Sequence, residues 1–279
     1  MGANVDDLVQ EFVYQPNTLV EGRGELRGVV GSIIYEFLFC KLWLRKPHFF
    51  IAVCMFRLFI TRLAKKYFPS IYQRLRVFRY ERYVFPREFM AHVNRLLPSN
   101  LVIDVGANVG LVTETLARRG VRVISFEPNS SAFLKLKRVA RRFPNVSLRN
   151  VAAGMENTSR KLYFHKDFEN TKDDLTQASS LLDTKSNISQ ENFELVDEID
   201  FAKFLKSLNE PVELIKIDIE GYEIQLLNHL LDNHALDNVS YLYVETHERR
   251  FPDLIASTEK LKERIRREGY MEKFFFDWH

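Results

Sequence analysis

The chain has 279 residues, of which 46% are hydrophobic, enough to build one large domain or one domain with an appendage. Its formal net charge of +3 comes from 40 basic and 37 acidic residues, and this near balance argues against a nucleic-acid-binding protein. Two cysteines, Cys40 and Cys54, lie in apolar stretches. We therefore expect buried thiols in a reducing compartment rather than a disulfide framework, and a cytoplasmic location.

The strongest hydrophobic block covers residues 33–60. Its uninterrupted apolar runs are shorter than the roughly 20 residues that a membrane-spanning helix needs, and Pro47 divides it into two predicted amphipathic helices. These helices can lie in a membrane interface through their aromatic faces and basic flanks, or can pack on the main domain as a lid or dimer surface. The packing alternative is slightly favoured. We predict an N-terminal helical extension over residues 1–95 and a second domain over residues 96–279.

From residue 101 onward, patterns typical of buried strands alternate with patterns typical of amphipathic helices. Strands are predicted at residues 101–105, 121–126, 146–154, 212–221, 239–246 and 271–278, and helices at residues 109–119, 129–143, 222–231 and 257–270. This alternation predicts an α/β fold with a central, mostly parallel sheet and helices on both faces. The acidic, Ser- and Asn-rich residues 167–195 are predicted to form a loop or insertion over the functional site.

The first predicted strand and helix are joined by the glycine turn G-A-N-V-G, from Gly106 to Gly110. Such a turn brings backbone N–H groups and a helix N-terminus toward a bound anion, and glycine allows close approach. Its spacing is not the G-x-G-x-x-G of dinucleotide-binding proteins. Glu127 ends the next strand, where an acid can accept both hydroxyls of a ribose. Together these features predict an adenosine-containing ligand with an amino-acid tail, S-adenosylmethionine.

Six motifs extend this interpretation over residues 100–250, in the order "VIDVGANVG", "FEPN", "NVAAG", "ASSL", "LIKIDIEGYE" and "YVETHE". Their order and spacing resemble those of the FkbM-type S-adenosylmethionine-dependent methyltransferases, and the "KIDIEG" element after "DVGANVG" is the distinctive part. The resemblance implies a Rossmann-like class I methyltransferase fold. It also implies O-methylation of a hydroxyl group, as on polyketides and sugars.

The resemblance also implies which residues hold the cofactor. The methionine end would be surrounded by Asp104 of the first strand and by four residues of the glycine turn, namely Gly106, Ala107, Asn108 and Gly110. Glu127 would hold the ribose, and Ala152 and Ala153 would flank the adenine.

Methyl transfer to an alcohol needs a base that removes the hydroxyl proton. Candidates lie where the fourth and fifth predicted strands end, because the carboxyl edge of a parallel sheet is where ligands bind: Asp218, Glu220, Glu245, His247 and Glu248. His247 is preferred as the base because the ordinary pKa of histidine is near neutral, and Asp218 and Glu220 complete the predicted catalytic set. Alternatively, His247 makes a structural hydrogen bond, and the two acids favour the start of the following helix.

Asp218, Glu220, Glu245 and His247 also offer ligand atoms to a Mg²⁺-type ion. Because their spacing is not a recognised ligand pattern, no metal is predicted. Lys216 lies inside a predicted buried strand, where it either reaches the site or pairs with a strand acid.

The predicted acceptor is a small molecule or a glycan, with a sugar hydroxyl of a glycan or glycolipid preferred because residues 33–60 suggest peripheral membrane contact. Two other functions stay open. A nicotinamide-dependent oxidoreductase would also need a glycine turn and a ribose-binding acid, but the missing G-x-G-x-x-G counts against it. A non-catalytic membrane-associated scaffold would not need the intact glycine turn and Glu127. The sequence does not indicate an oligomeric state.

Overall fold

The structure is a computed structural model that describes residues 61, 63, 67–165, 188–248, 252–276 and 278. Contacts divide the chain into two compact units, residues 1–73 and 74–279, and nearly all described residues belong to the second. The hydrophobic block at 33–60, with Cys40 and Cys54, lies outside the described residues, and the predicted boundary at residue 95 stays a prediction. In the described part of the chain, no helix is both long enough and apolar enough to cross a membrane.

The strands follow one another as β1 (Leu101–Val105), β2 (Arg122–Phe126), β3 (Val146–Arg149), β4 (Ala152–Gly154), β5 (Thr158–His165), β6 (Ile188–Asp200), β7 (Val212–Ile217), β8 (Val239–Val244) and β9 (Phe274–Phe275). Within the described residues, six of them form a central parallel sheet in the order β3-β2-β1-β7-β8-β9. A second sheet has the order β4-β6-β5, in which β6 is parallel to β4 and antiparallel to β5.

The α-helices in the described ranges are α1 (Pro69–Tyr83), α2 (Arg87–Val93), α3 (Leu111–Ala117), α4 (Ser130–Ala140), α5 (Phe201–Ser207), α6 (Glu223–Asp232) and α7 (Ile255–Arg267). Helix α4 begins with a side-chain cap, because the Asn129 side chain accepts a hydrogen bond from the N–H of Ala132.

Alternate residues of β1 enter two apolar cores. Ile103 belongs to a core with Phe201 of α5 and Leu226 of α6, whereas its neighbour Val102 belongs to a core with Phe89 of α2. Since successive strand residues point to opposite faces of a sheet, the two cores lie on opposite faces, and helices cover both. The predicted α/β, Rossmann-like class I methyltransferase fold is confirmed.

The order of the strands locates a crevice. From β1 the chain moves to β2 and β3 on one side, and later returns to β7 and β8 on the other side of β1. In open parallel sheets, ligands bind beyond the carboxyl ends of the strands at such a reversal. The residues that follow β1, β2, β7 and β8 therefore lie where a ligand is expected.

Three predictions about the secondary structure were wrong. The single strand predicted at 146–154 is two strands, β3 and β4, which belong to different sheets. Residues 188–195 were assigned to a loop but lie in β6, and β5 and α5 were missed. The last strand is only Phe274–Phe275 and follows a 3₁₀ turn, Met271–Lys273. The rest of that predicted loop, residues 167–187, lies outside the described residues.

Candidate functional site

The turn after β1 lies directly on the backbone that follows β7. Gly106 has a φ of +75°, and a Cβ at this position would be 1.8 Å from the carbonyl oxygen of Asp218. No side chain fits at that separation. Gly106 is therefore required for the contact between the two strand ends, in addition to the ligand access for which it was predicted.

Most N–H groups of the glycine turn are used inside the protein. The N–H groups of Gly106 and Ala107 both donate to the carbonyl of Phe126, at 3.0 and 2.9 Å, and that of Gly110 donates to Ala107 at 2.8 Å. The N–H of Asn108 donates to the Glu127 carboxylate at 2.7 Å. Three of these four N–H groups bind the turn to the end of β2 and the fourth closes the turn, so that they do not face a ligand anion as we expected.

Gly110 has a packing role. A Cβ here would lie 2.8 Å from Leu136 Cδ1, with Val139 Cβ at 3.3 Å. Both neighbours belong to α4, so the glycine at the start of α3 allows these two helices to pack closely.

Glu127 is buried at the end of β2, where each carboxylate oxygen accepts one backbone N–H. Oε2 accepts from Asn108 at 2.7 Å, and Oε1 accepts from Asn129 at 2.8 Å. Burial raises the pKa of Glu127 to about 7, although the two N–H donors oppose the shift. The group is thus held at a defined position and titrates near neutral pH.

Asp104 and Lys216 form a buried pair beneath the turn. The Asp104 carboxylate accepts a 2.6 Å hydrogen bond from Thr113 and lies 3.6 Å from Lys216 Nζ. Lys216 donates to the Gly106 carbonyl at 2.8 Å and lies 3.3 Å from Asp218. Burial alone lowers the pKa of Lys216, but Asp218 and Asp104 outweigh it and raise that pKa. Lys216 thus meets both expectations: it pairs with a strand acid and reaches the site.

Ala152 and Ala153 are buried in β4, away from the central sheet. Ala153 packs in the core with α5 and α6, whereas Ala152 packs with Leu162 of β5. The nearby Asn150 donates to the carbonyl of Glu127 at 2.9 Å. This bond connects the segment before β4 to the predicted ribose site.

The other half of the edge is a cluster of carboxylates around His247, whose side chain is fully buried. Its Nε2 atom lies 3.4 Å from Glu220, 3.6 Å from Glu245 and 3.7 Å from Asp218. On the other side of the ring, Nδ1 lies 3.3 Å from Glu223 and 3.1 Å from the carbonyl of Glu245. The structure therefore brings the three predicted catalytic residues together, and adds Glu223.

The carboxylates around His247 favour the protonated form of its ring. Burial by itself lowers the pKa of His247, but the carboxylates of Glu220 and Glu223 outweigh it and raise the pKa to about 11. At neutral pH the ring is then an imidazolium, which has no lone pair to accept a proton. This raised pKa argues against His247 as the general base, and the catalytic role predicted for it stays a prediction.

Backbone strain coincides with the same edge. Among the described residues, five non-glycine residues have positive φ, and three of these are Asn108 (48°), Glu220 (58°) and His247 (58°). They follow β1, β7 and β8 respectively. Non-glycine residues in this region cost on the order of 1–3 kcal/mol each, and such strain clusters at functional sites.

The part of the chain that contains this site matches the model of a known family. The model of the methyltransferase FkbM domain matches residues 104–271, more than half of the chain. The chain belongs to the FkbM methyltransferase domain family. The matched range begins at Asp104 and includes the glycine turn, Glu127 and the cluster around His247.

Among curated proteins, this FkbM domain is similar to the ribosomal RNA small subunit methyltransferases A of Thermotoga petrophila and Thermotoga maritima, with 41% identity over 54 residues in each case. The match covers 19% of this chain, and 21% and 19% of those proteins. The chain thus matches only about a fifth of the length of these relatives.

Two solved structures are also similar to the FkbM domain. One is the precorrin 8w decarboxylase of Methanobacterium thermoautotrophicum, with 17% identity, a TM-score of 0.34, and coverage of 61% of this chain and 63% of that one. The other is a putative O-methyltransferase from Klebsiella pneumoniae, with 15% identity, a TM-score of 0.40, and coverage of 75% and 84%.

Two residues of the FkbM domain site were missed in the sequence. Glu223 lies in the first turn of α6, where an acid is expected for the helix alone, so its position carries no separate signal. Asn150 lies in the stretch that was predicted as one continuous strand. The break in that strand is what allows its side chain to reach Glu127.

Proposed function

We propose that the protein is an S-adenosylmethionine-dependent O-methyltransferase whose acceptor is a hydroxyl group, in first place that of a sugar, glycan or glycolipid. The observation that carries the proposal is the position of Glu127. Its carboxylate lies at the end of β2, bound to the glycine turn that follows β1, at the reversal point of the strand order. Family membership supports methyl transfer as the reaction.

Glu127 suits a ribose because its oxygens are oriented but not saturated. Each oxygen accepts one backbone N–H, and a carboxylate oxygen has a further lone pair for a hydroxyl donor. A diol can therefore donate to both oxygens without displacing the bonds that hold the side chain.

S-adenosylmethionine supplies an electrophilic methyl group and a good leaving group, so the protein has to position the acceptor and take its proton. The carboxylates around His247 raise its pKa and favour the protonated ring, so Asp218 and Glu220 are the preferred candidates for the proton acceptor. Their side chains are 26% and 14% exposed, so that an acceptor can reach them. Lys216 is excluded because its pKa is raised.

Asp218→Asn and Glu220→Gln separate these two alternatives. The variant that removes the base should lower turnover by a factor of about 10² to 10⁴ while keeping affinity for S-adenosylmethionine. Equal turnover in wild type and both variants would exclude a carboxylate base in this cluster.

The choice of a glycan or glycolipid acceptor rests on the sequence of residues 33–60, which lie outside the described residues. If this block contacts membranes, the full-length chain should float with vesicles that contain anionic lipid. A chain that stays at the bottom of the gradient would remove the support for a lipid-linked acceptor and leave a soluble glycan or small molecule.

Calorimetry with S-adenosylmethionine and with nicotinamide dinucleotides tests the proposal against its rivals. The methyltransferase binds the first, an oxidoreductase binds the second, and a non-catalytic scaffold binds neither. Incubation of cell extracts with isotopically labelled S-adenosylmethionine, followed by mass spectrometry, should then reveal the acceptor as a labelled methyl ether. Label found only on nitrogen or carbon would contradict O-methylation.

A further inference from the structure

We propose that Asp218, Glu223 and His247 form a binding site for one divalent transition-metal ion, for which Mn²⁺ is the first candidate. One ligand atom of each residue lies within 4.8 Å of the ligand atoms of the other two. The three residues come from the end of β7, the first turn of α6 and the end of β8. The ion would take the place of the proton on His247 Nε2, because an imidazole nitrogen binds a metal only in its deprotonated form.

Two buried atoms of this group have no hydrogen-bond partner, namely His247 Nε2 and Glu223 Oε2. The other polar atom of each side chain does have one. Nδ1 of His247 lies 3.1 Å from the Glu245 carbonyl, and Oε1 of Glu223 accepts the N–H of Ile219 at 2.7 Å. Each side chain is thus oriented by one atom and presents the other, which is how outer hydrogen bonds orient metal ligands in proteins.

The distances fit shared coordination better than direct hydrogen bonds. Charge-assisted N–H···O bonds are about 2.7–2.9 Å long, whereas Nε2 of His247 is 3.7 Å from Asp218 Oδ1. Ligands at about 2.0–2.2 Å from an ion lie roughly 2.8 to 3.6 Å from each other when the angle at the ion is 90–109°. A small closure of the side chains would therefore bring these atoms to ligand separation.

Charge and ligand type indicate the class of ion. Four carboxylates surround the ring, because Glu220 and Glu245 also lie 3.4 and 3.6 Å from Nε2, and a divalent cation would offset part of that charge. Carboxylates suit Mg²⁺, Ca²⁺ and Mn²⁺, while imidazole favours transition metals; Mn²⁺ satisfies both. The ion would orient and polarise an acceptor hydroxyl, a use that rests on the proposed function and leaves Glu220 as the base.

The test is titration of the chelator-treated, full-length chain with Mn²⁺, in which the free ion is measured by electron paramagnetic resonance. We expect one ion per chain, and at least tenfold weaker binding in Asp218→Asn and in Glu223→Gln. Asp232→Asn is the matched control: it removes one carboxylate from the far end of the same helix as Glu223, where the side chain is 62% exposed. This control should bind Mn²⁺ as the wild type does.

Absence of saturable binding, or equal affinity in all the variants, would overturn the proposal. If Glu223→Gln does not fold, Asp218→Asn decides, because the Asp218 side chain is 26% exposed. Coupling of bound Mn²⁺ to ¹⁴N in pulsed spectra should show the imidazole ligand, and its absence would refute ligation by His247. Calorimetry with S-adenosylmethionine in the chelated protein separates failure of the metal site from failure of the proposed function.

Discussion

The two halves of the carboxyl edge differ in how their polar groups are satisfied. At the ends of β1 and β2, the turn N–H groups and the Glu127 carboxylate satisfy one another. At the ends of β7 and β8, four carboxylates converge on one buried ring, and two polar atoms have no hydrogen-bond partner. The comparison suggests that the first half is preformed for a ligand that adds hydrogen bonds, whereas the second half needs a cation or proton to be stable.

The largest effect should come from Gly106, where the two halves touch. Gly106→Ala should destabilise the fold by about 4 kcal/mol or more, since overpacking adds to the strain of positive φ. Gly269→Ala is the matched control, because Gly269 has a φ of +80° but no atom within 4 Å of an added Cβ. It should cost only about 1–2 kcal/mol. Denaturant unfolding of both variants measures the difference, and equal losses would mean that the turn yields.

His247→Ala tests whether the imidazole ring stabilises the carboxylate cluster at the ends of β7 and β8. Removing one partner from a buried ion cluster typically costs about 3–5 kcal/mol, so we expect a clear loss of unfolding free energy. His234→Ala is a suitable control because His234 is exposed and also has a positive φ, of 48°. If both variants unfold at the same denaturant concentration, the ring does not stabilise its carboxylate neighbours.

Glu127→Ala tests the half at the ends of β1 and β2, where the polar groups satisfy one another. Loss of hydrogen bonds to a charged group should weaken S-adenosylmethionine binding by about 1.5–3 kcal/mol, as measured by calorimetry. The variant Glu210→Ala should bind normally, because Glu210 pairs with Arg122 at the opposite end of β2. Unchanged affinity in a folded Glu127→Ala variant would remove the main support for the cofactor assignment.

The smallest effect is the pH dependence of cofactor binding. With a Glu127 pKa of about 7, the carboxylate that accepts ribose hydroxyls is mostly protonated at pH 6 and mostly ionised at pH 8. Affinity should rise about tenfold over this range, equivalent to about 1.4 kcal/mol. Glu127→Gln should abolish the dependence, and a dependence that persists in this variant would point to another group.

Folding should respond to pH with the opposite sign at this residue. Because the folded-state pKa of Glu127 is raised from 4.5, its protonated form favours the folded state. That contribution is complete below pH 4.5 and is lost as the pH rises through about 7. Comparison of wild type and Glu127→Gln by denaturant unfolding at pH 5 and pH 8 measures it.

Local patterns were sufficient for four of the six strands of the central sheet, namely β1, β2, β7 and β8. The strands predicted at 101–105, 121–126, 212–221 and 239–246 were recognised because buried parallel strands are continuous apolar runs. The glycine turn and Glu127 were recognised because they end such runs. The second sheet was missed: β5 and the first half of β6 are polar, and their pairing connects residues far apart in sequence.

The sequence by itself determined which residues lie at the carboxyl edge of the sheet. These residues come after strands that are recognisable as apolar runs: Gly106, Glu127, Asp218, Glu220 and His247. Only the tertiary structure decided what those groups do. The pKa of His247 depends on the carboxylates of Glu220 and Glu223, which lie just before and at the start of α6. The pKa of Glu127 depends on how completely the fold buries it. Electrostatic interactions act through space, so residues with ordinary properties in isolation acquire their chemistry from neighbours that sequence proximity does not show.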